Sequence, residues 1–144
     1  GKRDGELAAL WRGADGSSDT LALLSNLAKT PVFILHGEAD DNVPVSEARK
    51  MEAALRELGA PPGIHVQPGA GHWWDGDAAP GADCVDWPGI FETFRAAMPR
   101  KAGAELDAWS ADPSVQSVLG WCELLQPLVY GERLHVRSRL DVAG

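Results

Sequence analysis

The sequence predicts an α/β fold: parallel strands flanked by helices, followed by a small β-rich extension. Three observations carry this expectation. The run Val32-Phe33-Ile34-Leu35 is apolar on both faces, as a strand covered by helices on each side requires. An amphipathic helical stretch then leads into a second strand candidate, Ile64 to Gln67, and strand, helix and strand in about 35 residues is the βαβ unit, whose two strands run parallel. Beyond Ala104 the texture changes to short segments that read as strands.

Taken in order, Glu6 to Arg12 contains helix formers and is expected to give one or two turns before the glycine-rich GADGSSD interrupts it. Ser18 and Asp19 can cap a second short helix, TLALLSNLA, and Pro31 opens the first strand. In VPVSEARKMEAALRELGA, residues Ala48, Met51, Leu55 and Leu58 fall on one stripe, with Glu47, Arg49, Lys50, Glu52, Arg56 and Glu57 off it. Ser46 is expected to cap this helix and Gly59 to end it. Gly69 to Asp86 reads as a long loop, after which Pro88 starts a helix through Ile90, Phe91, Phe94 and Met98. In the tail, RLHVRSRLDV alternates Leu134, Val136, Leu140 and Val142 with His135, Arg137, Arg139 and Asp141. The expected domains are residues 1–101 and a β-rich extension, 102–144, with the boundary near Arg100 to Gly103. A sheet as small as the extension's needs a partner to be stable.

Composition narrows the function classes. A chain of 144 residues with 44% hydrophobic residues and a net charge of -8 reads as a soluble globular protein whose acidic surface repels phosphate backbones and anionic lipid. Nucleic acid and membrane are therefore not expected partners. Cys84 and Cys122 are too few for a disulfide framework and lack zinc-site spacing, so both are read as free, buried thiols. No apolar stretch approaches the roughly 20 residues of a membrane span, and no signal-like segment follows Gly1. Because the sequence starts on Gly rather than Met, its natural N-terminus is read as missing.

Chemistry concentrates after the two strands. Loops that leave parallel strands at their carboxyl ends share one edge of the sheet, where open α/β sheets hold their sites. Asp40 follows the first strand and His72 the second, so the two side chains can meet there. A carboxylate beside an imidazole fixes its tautomer and stabilises the imidazolium, as a base requires when it takes a proton from a serine hydroxyl. Gly37, Gly69 and Gly71 would allow the close backbone approach such loops need.

These residues also carry a resemblance. TPVFILHGEADDNVPVSEARKMEAALRELG followed by VQPGAGHWWD resembles the C-terminal end of the catalytic domain of the prolyl oligopeptidase family of serine peptidases, over about Thr30 to Phe94 and less specifically back to Asp19. The stretch CVDWPGIFETF also resembles predicted peptidases of that family. The resemblance implies an α/β-hydrolase fold of which this chain is the C-terminal half. It places the triad acid of the His-Gly-x-x-Asp-x-x-Val-Pro pattern on Asp40 rather than Asp41, and the triad base of Gly-x-Gly-His on His72. It implies a peptide or small acyl substrate and no cofactor. The hydrolase order is Ser, acid, His, with the serine on a Gly-x-Ser-x-Gly elbow, and no such pentapeptide occurs here. Only 39 residues precede Asp40, and Ser17 and Ser18 do not follow a strand. The nucleophile is accordingly expected in an upstream part of the same polypeptide, and this chain alone is not expected to be a competent triad enzyme.

Each site residue has a plainer explanation. Asp40 could be an Asx-turn or helix-capping residue and His72 a structural loop histidine; their pairing favours acid and base. Asp41 and Asn42 are read as turn residues, and His36 as packed and hydrogen-bonded. Trp73 and Trp74 suit buried packing better than a substrate wall. Asp75, Asp77, Asp83 and Asp86 with His72 fit no metal-site spacing and read as a solvated acidic loop. Arg133, His135, Arg137 and Arg139 form a basic strand face that solvent explains. A non-catalytic binding or structural module on the same scaffold is the competing function, decided by the residue at the elbow upstream, and an esterase stays open beside the peptidase because fold and triad do not choose the acyl substrate.

Overall fold

The computed structural model describes residues 5, 7, 8, 11, 15, 16, 19–76, 81, 83–97, 104–126, 129 and 132–141. These form two compact units, one from Leu27–Pro99 and one from Gly1–Asn26 together with Arg100–Gly144. The sequence places a single division near residue 100; the structure divides the chain there and again after Asn26.

In the Leu27–Pro99 unit, β1 (Phe33–Gly37) and β2 (Gly63–Gln67) pair in parallel, with Phe33 opposite Gly63, Leu35 opposite His65 and Gly37 opposite Gln67. The chain crosses between them through α1 (Val45–Glu57), and α2 (Pro88–Ala96) follows the long loop. Both helices pack on β1. The mixed α/β architecture with a parallel pair flanked by helices is the one expected.

The physical origin of α1 is its stripe: Leu55 is fully buried and Ala48 nearly so, Met51 is half-buried, and Leu58 is exposed. Ion pairs Lys50–Glu47, Arg49–Glu52 and Arg56–Glu52, at 2.6 to 3.0 Å, line its outer face at helical spacings. Ser46 is not the cap. Pro44 holds that position with no side-chain cap bond, its carbonyl accepting from the Glu47 N–H at 2.9 Å, and the helix begins at Val45. Pro88 opens α2 as expected, its missing N–H costing nothing in the first turn. Phe91 and Phe94 of α2 are exposed rather than buried, and Met98 lies outside the described residues.

In the other unit, Leu21–Leu27 is a 3₁₀ helix capped by the Asp19 carboxylate, which accepts from the Ala22 N–H at 3.0 Å. Ser18 lies outside the described residues, and described positions between Gly5 and Trp11 are helical. The tail forms two antiparallel pairs: β3 (Glu105–Ser110) with β6 (Leu134–Arg139), and the two-residue strands β4 (Val118–Leu119) and β5 (Cys122–Glu123). The β3 backbone is also bonded outside its sheet, within its own unit. The Asn26 side chain donates to the Trp109 carbonyl and accepts from its N–H, both at 2.8 Å, bonding to the β3 backbone across 83 residues of sequence.

The alternation read in β6 is only partly obeyed. His135, assigned to the polar face, is half-buried, stacked flat on Trp109 at 4.2 Å and bonded to Asp107 at 2.6 Å, whereas Leu140 is exposed. The His135 bond, followed by the Arg137 charge, holds the Asp107 carboxyl below its ordinary range. The basic face is thus largely engaged within the chain: Arg137 pairs with Asp107 at 3.2 Å and Arg139 with Asp141 at 3.4 Å. Cys84 and Cys122 are free and half-buried, not buried.

Candidate active site

The two loops that leave β1 and β2 are fastened to each other before any side-chain chemistry begins. The Glu38 N–H donates to the Gln67 carbonyl at 2.9 Å and the Ala39 N–H to the Ala70 carbonyl at 2.8 Å. The Glu38 carboxylate in turn accepts from the Gly69 N–H at 3.0 Å. Gly37 makes this possible: a Cβ there would stand 2.5 Å from the Ala70 carbonyl oxygen and closer still to that of Gly71, both backbone atoms that cannot swing aside. Gly69 turns the second loop at φ +67, where a side chain is strained. Gly71 meets neither constraint, having open space and no positive φ. Glu38 was not singled out in the sequence. Its signal was weak, since an acidic residue just past a strand ordinarily points to water.

Fastening the loops brings Asp40 and His72 together across 32 residues of sequence, with His72 Nδ1 at 2.9 Å from Asp40 Oδ2. The other oxygen, Oδ1, accepts from the N–H groups of Asn42 and Val43, each at 2.9 Å. Asp40 is therefore both the Asx-turn residue and the partner of an imidazole, one oxygen for each. The Val43 N–H draws the carboxyl down to about 2 from 3.8; partial burial opposes this, and the His72 and Asn42 bonds add to it. An ionised carboxylate only accepts, so His72 donates from Nδ1, and in the neutral ring the lone pair is on Nε2. The exposures differ usefully: the Asp40 side chain is 4% exposed and that of His72 35%, so the acid is sealed while the base can be reached.

His36, read as structural, lies in the same cluster. Its Nε2 is 2.8 Å from the Val43 carbonyl oxygen and 3.4 Å from Asp40 Oδ2. Trp73 stands edge-on to the His72 ring, with centroids 5.4 Å apart, and is 75% exposed, so it is not the buried packing residue expected. Trp74 is half-buried, and its indole nitrogen is buried without a hydrogen-bond partner among the described residues. His36, Asp40, His72, both tryptophans and Phe94 are among the residues lining a cavity of about 640 Å³, a size suited to a small ligand.

Two of the loop acids, Asp83 and Asp86, are spent on the loop itself. Asp83 accepts from the N–H groups of Val85 and Asp86, and Asp86 from those of Gly81 and Asp83, at 2.7 to 3.2 Å. The Gly81 bond leads in lowering the Asp86 carboxyl below its ordinary value. Among the described residues no group of three or more His, Cys, Asp or Glu side chains could hold a metal ion. Asp41 is exposed, and Asp77 lies outside the described residues, as do Ser17 and Ser18.

The paired loops thus hold a carboxylate against an imidazole at the ends of two parallel strands. Residues 15–83 match the prolyl oligopeptidase family, a family of serine peptidases, so the resemblance read from the motifs is established over that segment. A protein of Arthroderma benhamiae, named an uncharacterized secreted protein, is 44% identical over 54 residues. Those residues are 38% of this chain and only 6% of that relative's length. No solved structure matches the chain. No helix among the described residues is long and apolar enough to cross a membrane.

Proposed function

We propose that this chain is the C-terminal part of the catalytic domain of a serine peptidase with the α/β-hydrolase fold, supplying the acid and the base of a Ser-Asp-His triad, with residues 102–144 as a β-rich extension. The observation that carries the reading is the 2.9 Å contact between Asp40 and His72 at the ends of two parallel strands. His72 Nε2 takes the proton of a serine hydroxyl as that oxygen attacks the acyl carbon, and returns it to the leaving group. Asp40 holds the ring in the Nδ1–H tautomer and stabilises the imidazolium that forms. The serine and much of the oxyanion hole come from polypeptide outside these 144 residues, because no Gly-x-Ser-x-Gly elbow occurs within them. The substrate is a peptide, and the chemistry needs no cofactor.

The test uses the full-length product of the reading frame, treated with a fluorescent fluorophosphonate and then assayed on peptide and ester substrates. Labelling at an upstream serine, lost or strongly slowed in His72→Ala and reduced in Asp40→Asn, is expected. A full-length protein that carries the elbow serine yet takes no label, and is indifferent to His72→Ala, sinks the proposal. Hydrolysis of esters but not peptides would make it an esterase instead.

A further inference from the structure

We infer that His36 is a positioning residue that holds the Asp40 carboxylate in its contact with His72; this deepens the reading of Asp40 and His72 as acid and base and rests on it. A carbonyl oxygen only accepts, so the 2.8 Å contact with Val43 requires the proton of His36 to be on Nε2. That same N–H group lies 3.4 Å from Asp40 Oδ2, the oxygen facing His72. Val43 is therefore gripped twice. Its N–H donates to Asp40 Oδ1, and its carbonyl accepts from His36, one residue before the end of β1.

The turn from Asp40 to Val43 is in this way pinned to the strand from which it springs. Rotating the carboxylate away from His72 would break the two bonds on Oδ1, one of them to the Val43 that His36 holds in place. The shelter of the cluster makes that hold effective, since the His36 and Asp40 side chains are only 13% and 4% exposed and little water is present to replace a lost contact. The Val43 N–H leads in holding the Asp40 carboxyl low, so pinning Val43 through His36 also favours the charged form of Asp40, and with it the imidazolium that catalysis forms on His72.

Two variants separate a positioning role from mere packing. His36→Phe keeps an aromatic ring and removes the N–H; His36→Gln puts an amide N–H near the place of Nε2. In the isotope-labelled chain, ring-nitrogen NMR is expected to show the Nε2–H tautomer for His36 and the Nδ1–H tautomer for His72. His36→Phe should raise the midpoint of the Asp40 carboxyl titration and speed exchange of the His72 Nδ1 proton, and His36→Gln should restore both. In the full-length enzyme kcat should fall about 10- to 100-fold in His36→Phe with KM little changed, and recover in His36→Gln.

An Nδ1–H tautomer at His36 would overturn the inference even if neither variant folds. So would a folded His36→Phe chain with the Asp40 titration and the His72 proton unchanged, or a His36→Gln chain that restores neither. A full-length protein inert to fluorophosphonate would remove the hydrolase reading, while the Asp40 titration still decides whether His36 holds the carboxylate.

Discussion

Replacing Gly37 by alanine should separate the acid from the base without touching either. The added Cβ would stand 2.5 Å from the Ala70 carbonyl oxygen, where ordinary contact begins at 3.4 Å, a shortfall of about 0.9 Å. The Gly71 carbonyl presses harder, and both obstacles are backbone, so relief requires the second loop to retreat by roughly 1 Å. His72 sits one residue further on. Its 2.9 Å contact with Asp40 would then stretch to nearly 4 Å, beyond any useful hydrogen bond. The Ala39 to Ala70 backbone bond, at 2.8 Å, would be strained by the same movement. Overpacking of this kind costs about 1 to 3 kcal/mol, which lowers the melting temperature of a domain of this size by several degrees or more. The measurements are thermal unfolding and the ring-nitrogen spectrum of His72. The expected result is a lower melting temperature together with loss of the slowly exchanging Nδ1 proton. An alanine variant that melts with the wild type and keeps that proton would show that the loops do not need the bare backbone at Gly37.

Two further outcomes follow from the bonding described above. Asp40 is held down to about 2 from 3.8 in the folded chain, chiefly by the Val43 N–H, so its contribution to stability is present above about pH 4 and is lost as the pH falls toward 2. Urea midpoints of the wild type and Asp40→Asn should therefore differ most at pH 6 and draw closer as the pH falls to 2.5; a constant difference across that range would contradict the assignment. In the other unit, Asn26→Ala removes two 2.8 Å bonds to the Trp109 backbone and leaves a part-buried donor and acceptor unpaired, a loss of about 2 kcal/mol. Hydrogen exchange of the Trp109 amide should quicken in that variant while β1 and β2 keep their protection, and equal protection at Trp109 would refute the clamp.

The family comparison and the motif reading converge on one segment. Residues 15–83 match the prolyl oligopeptidase family, and they include both strands of the parallel pair, the helix between them, Asp40 and His72. The aligned part of the Arthroderma benhamiae relative is a small share of a much longer protein.

Sequence by itself determined the elements with strong periodicity and singled out two of the side chains that meet at the loop ends, Asp40 and His72. The stripe through Ala48 and Leu55 specifies α1, the apolar Val32–Leu35 run specifies β1, and Pro88 fixes the start of α2, because burial period and backbone restriction are local properties. Asp40 and His72 were legible from their places after two strands and from their motifs. Tertiary structure alone decided the rest. It showed that one carboxylate serves turn and imidazole at once, that Glu38 and Gly37 fasten the loops, that His36 reaches Asp40, and that Asn26 grips β3. Each of these is set by the meeting of separate backbone segments or by which oxygen of a side chain faces which donor. Neither has a signature in spacing or residue type, so it becomes visible only when the chain has folded.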